Sequence, residues 1–130
     1  MNFEEYEKQY FLTYAKFADT VRFIVENAMA AITGLPILQS IQARAKAPDR
    51  LKSHLEENGL LESQHIENER KDLAGVRLIF YTNTDVDRFI DSHLIFDNFD
   101  IEFQATKIHH PTKENERTRY QAIHYVVRLK

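Results

Sequence analysis

Between Phe3 and Ala28 the apolar residues Phe3, Tyr6, Tyr10, Tyr14, Phe17, Val21, Ile24 and Ala28 recur every three or four positions, with polar residues between them. That is the α-helical period, and it predicts one long amphipathic helix within residues 1–33, ending before Gly34 and Pro36. A helix with a single apolar stripe gains most of its stability by laying that stripe against another element. The remainder of a 130-residue chain, 43% apolar overall and carrying nine Phe and six Tyr, is enough to supply one. The expectation is one domain over residues 1–130, with the helical segment 1–33 packed on it.

After Pro36 the pattern changes. Residues Ile37 to Ala43 alternate, with Ile37, Ile41 and Ala43 on one side and Leu38, Ser40, Gln42 and Arg44 on the other, as in a short strand. Pro48 opens a helix over residues 48–57, stopped by Asn58-Gly59. The charged segment Leu60 to Lys71 reads as loop and short helix without evident chemistry. Ala74 to Tyr81 is the strongest strand, ended by the turn Thr82-Asn83, and Thr84 is placed as the N-cap of a helix carrying Val86, Phe89, Ile90 and Leu94. Phe99, Ile101 and Phe103 alternate as a further strand, residues 107–119 read as a polar loop, and Ala122 to Leu129 as a last strand. Helices interleaved with strands in this order predict an α+β fold, a central mixed sheet of about four to five strands flanked by helices.

Composition narrows the chemistry. The absence of Cys removes disulfide scaffolds, thiolate catalysis and the usual structural zinc sites. No run approaches the roughly 18 apolar residues of a membrane span, and the acidic start Met1-Asn2-Phe3-Glu4-Glu5 is unlike a signal peptide, so a cytoplasmic location is expected. Seventeen Lys and Arg against twenty Asp and Glu leave a net charge of −3, too acidic for a global field that attracts nucleic acid. The cations are nevertheless clustered. Residues 41–52 hold Arg44, Lys46, Arg50 and Lys52 against Asp49, residues 104–130 hold six cations against two anions, and residues 53–103 are acidic. Brought together, the two basic segments would form a polyanion pocket; left apart, they are solvated surface.

Several residues suit phosphate chemistry. Arg44 and Lys46 stand two apart at a strand end, where both can reach one triphosphate. Asp72 precedes the strongest strand and suits either a divalent cation or an ordinary cap or salt bridge. Gly75 allows close backbone approach, and Arg77 shares its face. Tyr120 and His124 follow the basic loop, where an aromatic ring can stack on a base or serve the core. His109, His110 and His124 lack the spacing and carboxylate partner of a metal set.

Taken together, Arg44-Ala45-Lys46, Asp72-Leu73-Ala74-Gly75-Val76-Arg77-Leu78-Ile79 and Tyr120-Gln121-Ala122-Ile123-His124-Tyr125-Val126-Val127 resemble three segments of the RelA/SpoT family synthetase domain. Those are its R-x-K segment, its D-x-x-G-x-R strand and its Y-x-S-I-H-x-V-V strand, met here in the same order over roughly residues 38–130. The resemblance implies a nucleotidyltransferase-like synthetase fold and, with Mg²⁺, transfer of the β,γ-pyrophosphate of ATP to the 3′-hydroxyl of a guanosine nucleotide, the alarmone synthesis of the stringent response. It implies that Arg44, Lys46 and Arg50 contact the ATP phosphates and that Arg77 stacks on adenine or holds the phosphates. Asp72 would bind Mg²⁺, and with Arg77 it would stand closest to the transfer. Lys107, Arg119, Tyr120 and His124 would surround the acceptor, with Tyr120 stacked on its base.

The chain departs from the family pattern at three places. Arg50 and His54 stand where the family has Ser and Lys, and Arg119 replaces the Gly before the acceptor tyrosine. The family's later strand, with its second acidic residue, has no counterpart before Lys130, and a last strand expected to lack a partner points to a fragment of a longer protein or to an incomplete catalyst. A cationic 113–119 loop also suits an RNA backbone, so a toxin-like member acting on the 3′ end of tRNA is an alternative acceptor reading. A non-catalytic nucleotide- or RNA-binding module is the alternative of a different class. An antitoxin or a C-terminal regulatory region is the kind of partner the resemblance suggests.

Overall fold

The computed structural model describes residues 1–102, 107–109 and 122–130. It is a mixed α+β chain with a long N-terminal helical stretch. The elements are α1 (Phe3–Glu5), a π turn (Tyr6–Tyr10), α2 (Phe11–Ala31), β1 (Leu38–Ala45), α3 (Pro48–Glu57), α4 (Ile66–Glu69), β2 (Ala74–Phe80), α5 (Asn83–Asp91), α6 (Leu94–Asn98), β3 (Phe99–Ile101), β4 (Lys107–His109), β5 (Ala122–His124) and β6 (Val127–Leu129). Two compact units are formed, Met1–Arg22 with Gln42–Arg77 and Phe23–Ile41 with Leu78–Lys130.

In the first unit the helical stretch starts at a capping box. The Asn2 side chain accepts from the Glu5 N–H at 2.9 Å, and Glu5 accepts from the Asn2 N–H at 3.2 Å. The π turn then closes with the Phe11 N–H on the Tyr6 carbonyl. One turn with a wider ring rotates everything after it about the helix axis. The sequence puts Tyr10 and Phe17 on the packed stripe, yet both are exposed, while Phe11, Tyr14, Ala18 and Val21 turn inward. Tyr6 is fully buried, its ring 6.2 Å from Phe11 and 5.8 Å from Tyr14.

The core of this unit joins Tyr6 to Leu51, Leu55, Ile66 and Leu73. Pro48 at the first turn of α3 fixes the helical φ where no N–H is needed, and the i, i+4 pair Leu51 and Leu55 forms the buried stripe. The helix stops where Gly59 takes φ +68°, a left-handed conformation that suits glycine. Met1 closes the lower side of the core: its ammonium donates to both Glu67 carboxylate oxygens at 3.0 and 2.9 Å.

In the second unit α5 begins two residues earlier than the sequence suggests. Thr82, not Thr84, is the N-cap, its hydroxyl accepting from the Asp85 N–H at 3.1 Å. The expected single helix breaks at Ser92 and His93, with His93 at φ +59°, and resumes as α6. Phe89, Leu94 and Phe99 are buried, and Phe80 packs on Phe89 with ring centroids 5.2 Å apart. Arg88 donates to the Gly34 carbonyl at 2.7 Å.

The expected central sheet is replaced, among the described residues, by three two-stranded sheets: β1 with β2, β3 with β6, and β4 with β5. The last strand of the sequence is split in two, β5 ending at His124 and β6 beginning at Val127, although the Val126 carbonyl still accepts from the Glu102 N–H at 2.8 Å. β5 pairs antiparallel with β4, Lys107 opposite His124, and β6 pairs antiparallel with β3, Phe99 opposite Leu129. The final strand, expected to be unpaired, thus has a partner in β3. No helix among the described residues is long and apolar enough to cross a membrane.

Candidate active site

Arg44, Lys46, Arg50, Asp72 and Arg77 all lie in the first unit. β1 runs two residues further than the alternation of Ile37 to Ala43 suggests, so Arg44 is inside the strand and Lys46 immediately follows it. The Lys46 N–H donates to the Leu73 carbonyl at 2.8 Å, which sets the end of β1 beside the start of β2. Residues separated widely in sequence therefore meet at one corner, and the side chains follow the backbone.

At that corner the Lys46 ammonium donates to Asp72 Oδ2 at 2.9 Å. Arg70 Nη2 approaches both carboxylate oxygens at 3.3 Å. Arg70 has extended backbone, φ −128° and ψ 122°, which turns it to the same side as Asp72 two residues on. Its Nε is buried without a hydrogen-bond partner among the described residues. Burial alone would raise the Asp72 carboxyl, but the bonds and charges of Lys46 and Arg70 outweigh it and hold the group below its ordinary value. Asp72 is ionised at neutral pH.

Beneath this pair lies Tyr6, whose hydroxyl donates to the Lys46 carbonyl at 2.6 Å. Burial, with the nearby Tyr14 and Asp72, pushes its phenol up to about 12, so it remains a donor. Arg44 and Arg77 occupy exposed positions on the two paired strands, and no hydrogen bond or ion pair joins either guanidinium to another described residue. Gly75 is exposed on β2, and nothing lies within 4 Å of the space its missing Cβ would fill. Arg50 is exposed in the first turn of α3.

The acceptor residues divide. Lys107 and His124 lie opposite each other in the β4–β5 ladder of the second unit, with His124 exposed. Arg119 and Tyr120 lie outside the described residues. Arg70 and Tyr6 escape the sequence reading, the first inside a charged segment and the second inside a packing stripe. The signal for Arg70 was its spacing of two from Asp72 in a stretch leading into a strand.

The donor set can be tested against Mg²⁺. Among the described residues no group of three or more His, Asp or Glu converges, and Asp72 supplies one carboxylate. That is too little for a cage built of protein, but it fits the way Mg²⁺ is held by one or two carboxylates plus the phosphates it arrives with. Lys46 and Arg70 at the carboxylate, with Arg44 and Arg77 on the strands beside it, carry N–H groups of the kind that phosphate oxygens accept from. The chain matches no protein-family model, no curated protein and no solved structure in the comparisons made.

Proposed function

We propose that the corner formed by Lys46 and Asp72 receives the triphosphate of ATP and that the protein is a pyrophosphokinase of the RelA/SpoT type. The observation that carries this reading is the 2.9 Å contact between Lys46 and Asp72, which joins the R-x-K segment to the D-x-x-G-x-R strand. In the reaction, the 3′-oxygen of a guanosine nucleotide attacks the β-phosphorus of ATP. The bond from that phosphorus to the α,β-bridging oxygen breaks, AMP leaves, and the hydroxyl proton is released.

The chain's own contribution is alignment and charge neutralisation, which dominate transfers of this kind. Lys46 exchanges one oxygen of Asp72 for a phosphate oxygen, and Arg44 and Arg77 close on the same chain of phosphates as planar forks. Asp72 would be the carboxylate that holds Mg²⁺, and the ion would supply neutralisation of the charge on the transferred group. The resemblance assigns the acceptor to Lys107, Arg119, Tyr120 and His124.

The test is incubation of the protein with Mg²⁺ and ATP labelled on its terminal phosphates, offering GDP, GTP or tRNA. Label on the guanosine nucleotide supports the alarmone reading, and label on tRNA alone replaces the acceptor. Saturable ATP binding with no transfer to any of the three identifies a nucleotide-binding module. Asp72→Asn is expected to lower transfer by about a hundredfold or more.

A further inference from the structure

We infer that Tyr6 is a positioning residue of the triphosphate site, so that the N-terminal helical stretch is part of the site and not only a cover for the core. The inference rests on the reading of Lys46 as a phosphate donor. Three observations on separate elements converge on it.

First, the Tyr6 hydroxyl makes a 2.6 Å bond to the backbone carbonyl of Lys46, the residue whose ammonium holds Asp72. Second, the same residue is held on its other side by its N–H on the Leu73 carbonyl at 2.8 Å. Lys46 lies past the end of β1, where a ladder no longer constrains the chain, and these two bonds take the ladder's place. Third, the helix departs from α-geometry at this point: the π turn begins at Tyr6 and ends at Tyr10. An uninterrupted helix would put Tyr10, not Phe11, one turn above Tyr6 on the same face. With the π turn, Phe11 and Tyr14 flank the Tyr6 ring, which is fully buried and fixed on both sides. A ring so confined offers its hydroxyl in one direction.

A purely structural tyrosine and a positioning tyrosine differ in what Tyr6→Phe changes. The phenyl ring keeps the packing and loses only the bond to Lys46. The full chain is to be compared as wild type, Tyr6→Phe and, as a control that removes a neighbouring hydroxyl with no bond to Lys46, Tyr14→Phe. Amide hydrogen exchange is followed residue by residue, and binding of magnesium tripolyphosphate is measured by calorimetry at a temperature where all three are folded. The expected result is exchange at the Lys46 amide accelerated beyond the change at the Leu51 and Leu55 amides. Tripolyphosphate affinity is expected to fall about tenfold in Tyr6→Phe and to stay within about twofold in Tyr14→Phe. Binding by wild type and Tyr6→Phe with equal affinity overturns the positioning role alone. Absence of binding by the wild type overturns the triphosphate reading, and with it the site to be positioned. Exchange that rises uniformly across the first unit assigns Tyr6 to stability and also overturns the inference.

Discussion

The ammonium of Lys46 sits 2.9 Å from Asp72 Oδ2, with the lysine side chain 20% exposed and the aspartate side chain 51% exposed. The cation is the sheltered partner and the carboxylate the open one. Arg70 also sits at the carboxylate, and Arg44 and Arg77 are exposed on the strands beside it, so cations outnumber the one anion at this corner. Paired and partly exposed, the two side chains contribute little to stability on their own.

Two paired carboxyls, Asp72 and Glu67, make the acid limb of stability informative. The Asp72 carboxyl is below its ordinary value in the folded chain, and so is Glu67, held down by its hydrogen bond to the Met1 ammonium. Depressed carboxyls stabilise the fold above their unfolded values, and that contribution disappears as pH falls through the folded ones. Urea unfolding between about pH 6 and about pH 3 should show stability falling in the wild type and falling less steeply in Glu67→Gln. Identical slopes in the two proteins would contradict the assigned ion pair.

The alkaline limb reports on Tyr6. Its phenol, pushed up to about 12 by burial and by Tyr14 and Asp72, must lose its proton more readily unfolded than folded. The stability this represents is complete below about pH 10, declines above it, and is gone once pH has risen through the folded value. The difference in unfolding free energy between wild type and Tyr6→Phe should shrink across that range. Denaturant unfolding at closely spaced pH values measures it, and a difference that stays constant would contradict the buried hydroxyl bond.

A third expectation separates two neighbouring threonines. Thr82 caps α5 through its hydroxyl, whereas Thr84 is exposed within the first turn. Thr82→Ala should cost about 1 kcal/mol in thermal or denaturant unfolding, and Thr84→Ala less than about 0.5 kcal/mol. The reverse order would restore Thr84 as the cap.

The threonines also illustrate how far the sequence can be read. Period and punctuation identified the N-terminal helix, the helix opened by Pro48, and the strand from Ala74, because each is set by local spacing and by residues with fixed backbone preferences. The π turn left no such mark. Tyr6, Tyr10 and Tyr14 keep a perfect four-residue spacing, and the rotation that exposes Tyr10 comes from packing Phe11 against the core. Likewise Ala122 to Leu129 has the pattern of one strand, but its division into β5 and β6 depends on the partners β4 and β3. At the candidate site, spacing marked Arg44, Lys46, Asp72 and Arg77, and their motifs are joined through Lys46 and Asp72. Tyr6 was missed because its bond to Lys46 exists only after distant segments have met, whereas Arg70, two residues from Asp72, was hidden within a charged segment.

The most direct test of the account is to titrate the isotope-labelled protein with magnesium ATP and follow its backbone amides and lysine side-chain resonances. The account predicts saturable shifts centred on residues 44–46 and 72–77, lost in Asp72→Asn and weakened by rising salt. Shifts confined to other residues, or none at millimolar ATP, would show that Lys46 and Asp72 are an ordinary surface ion pair.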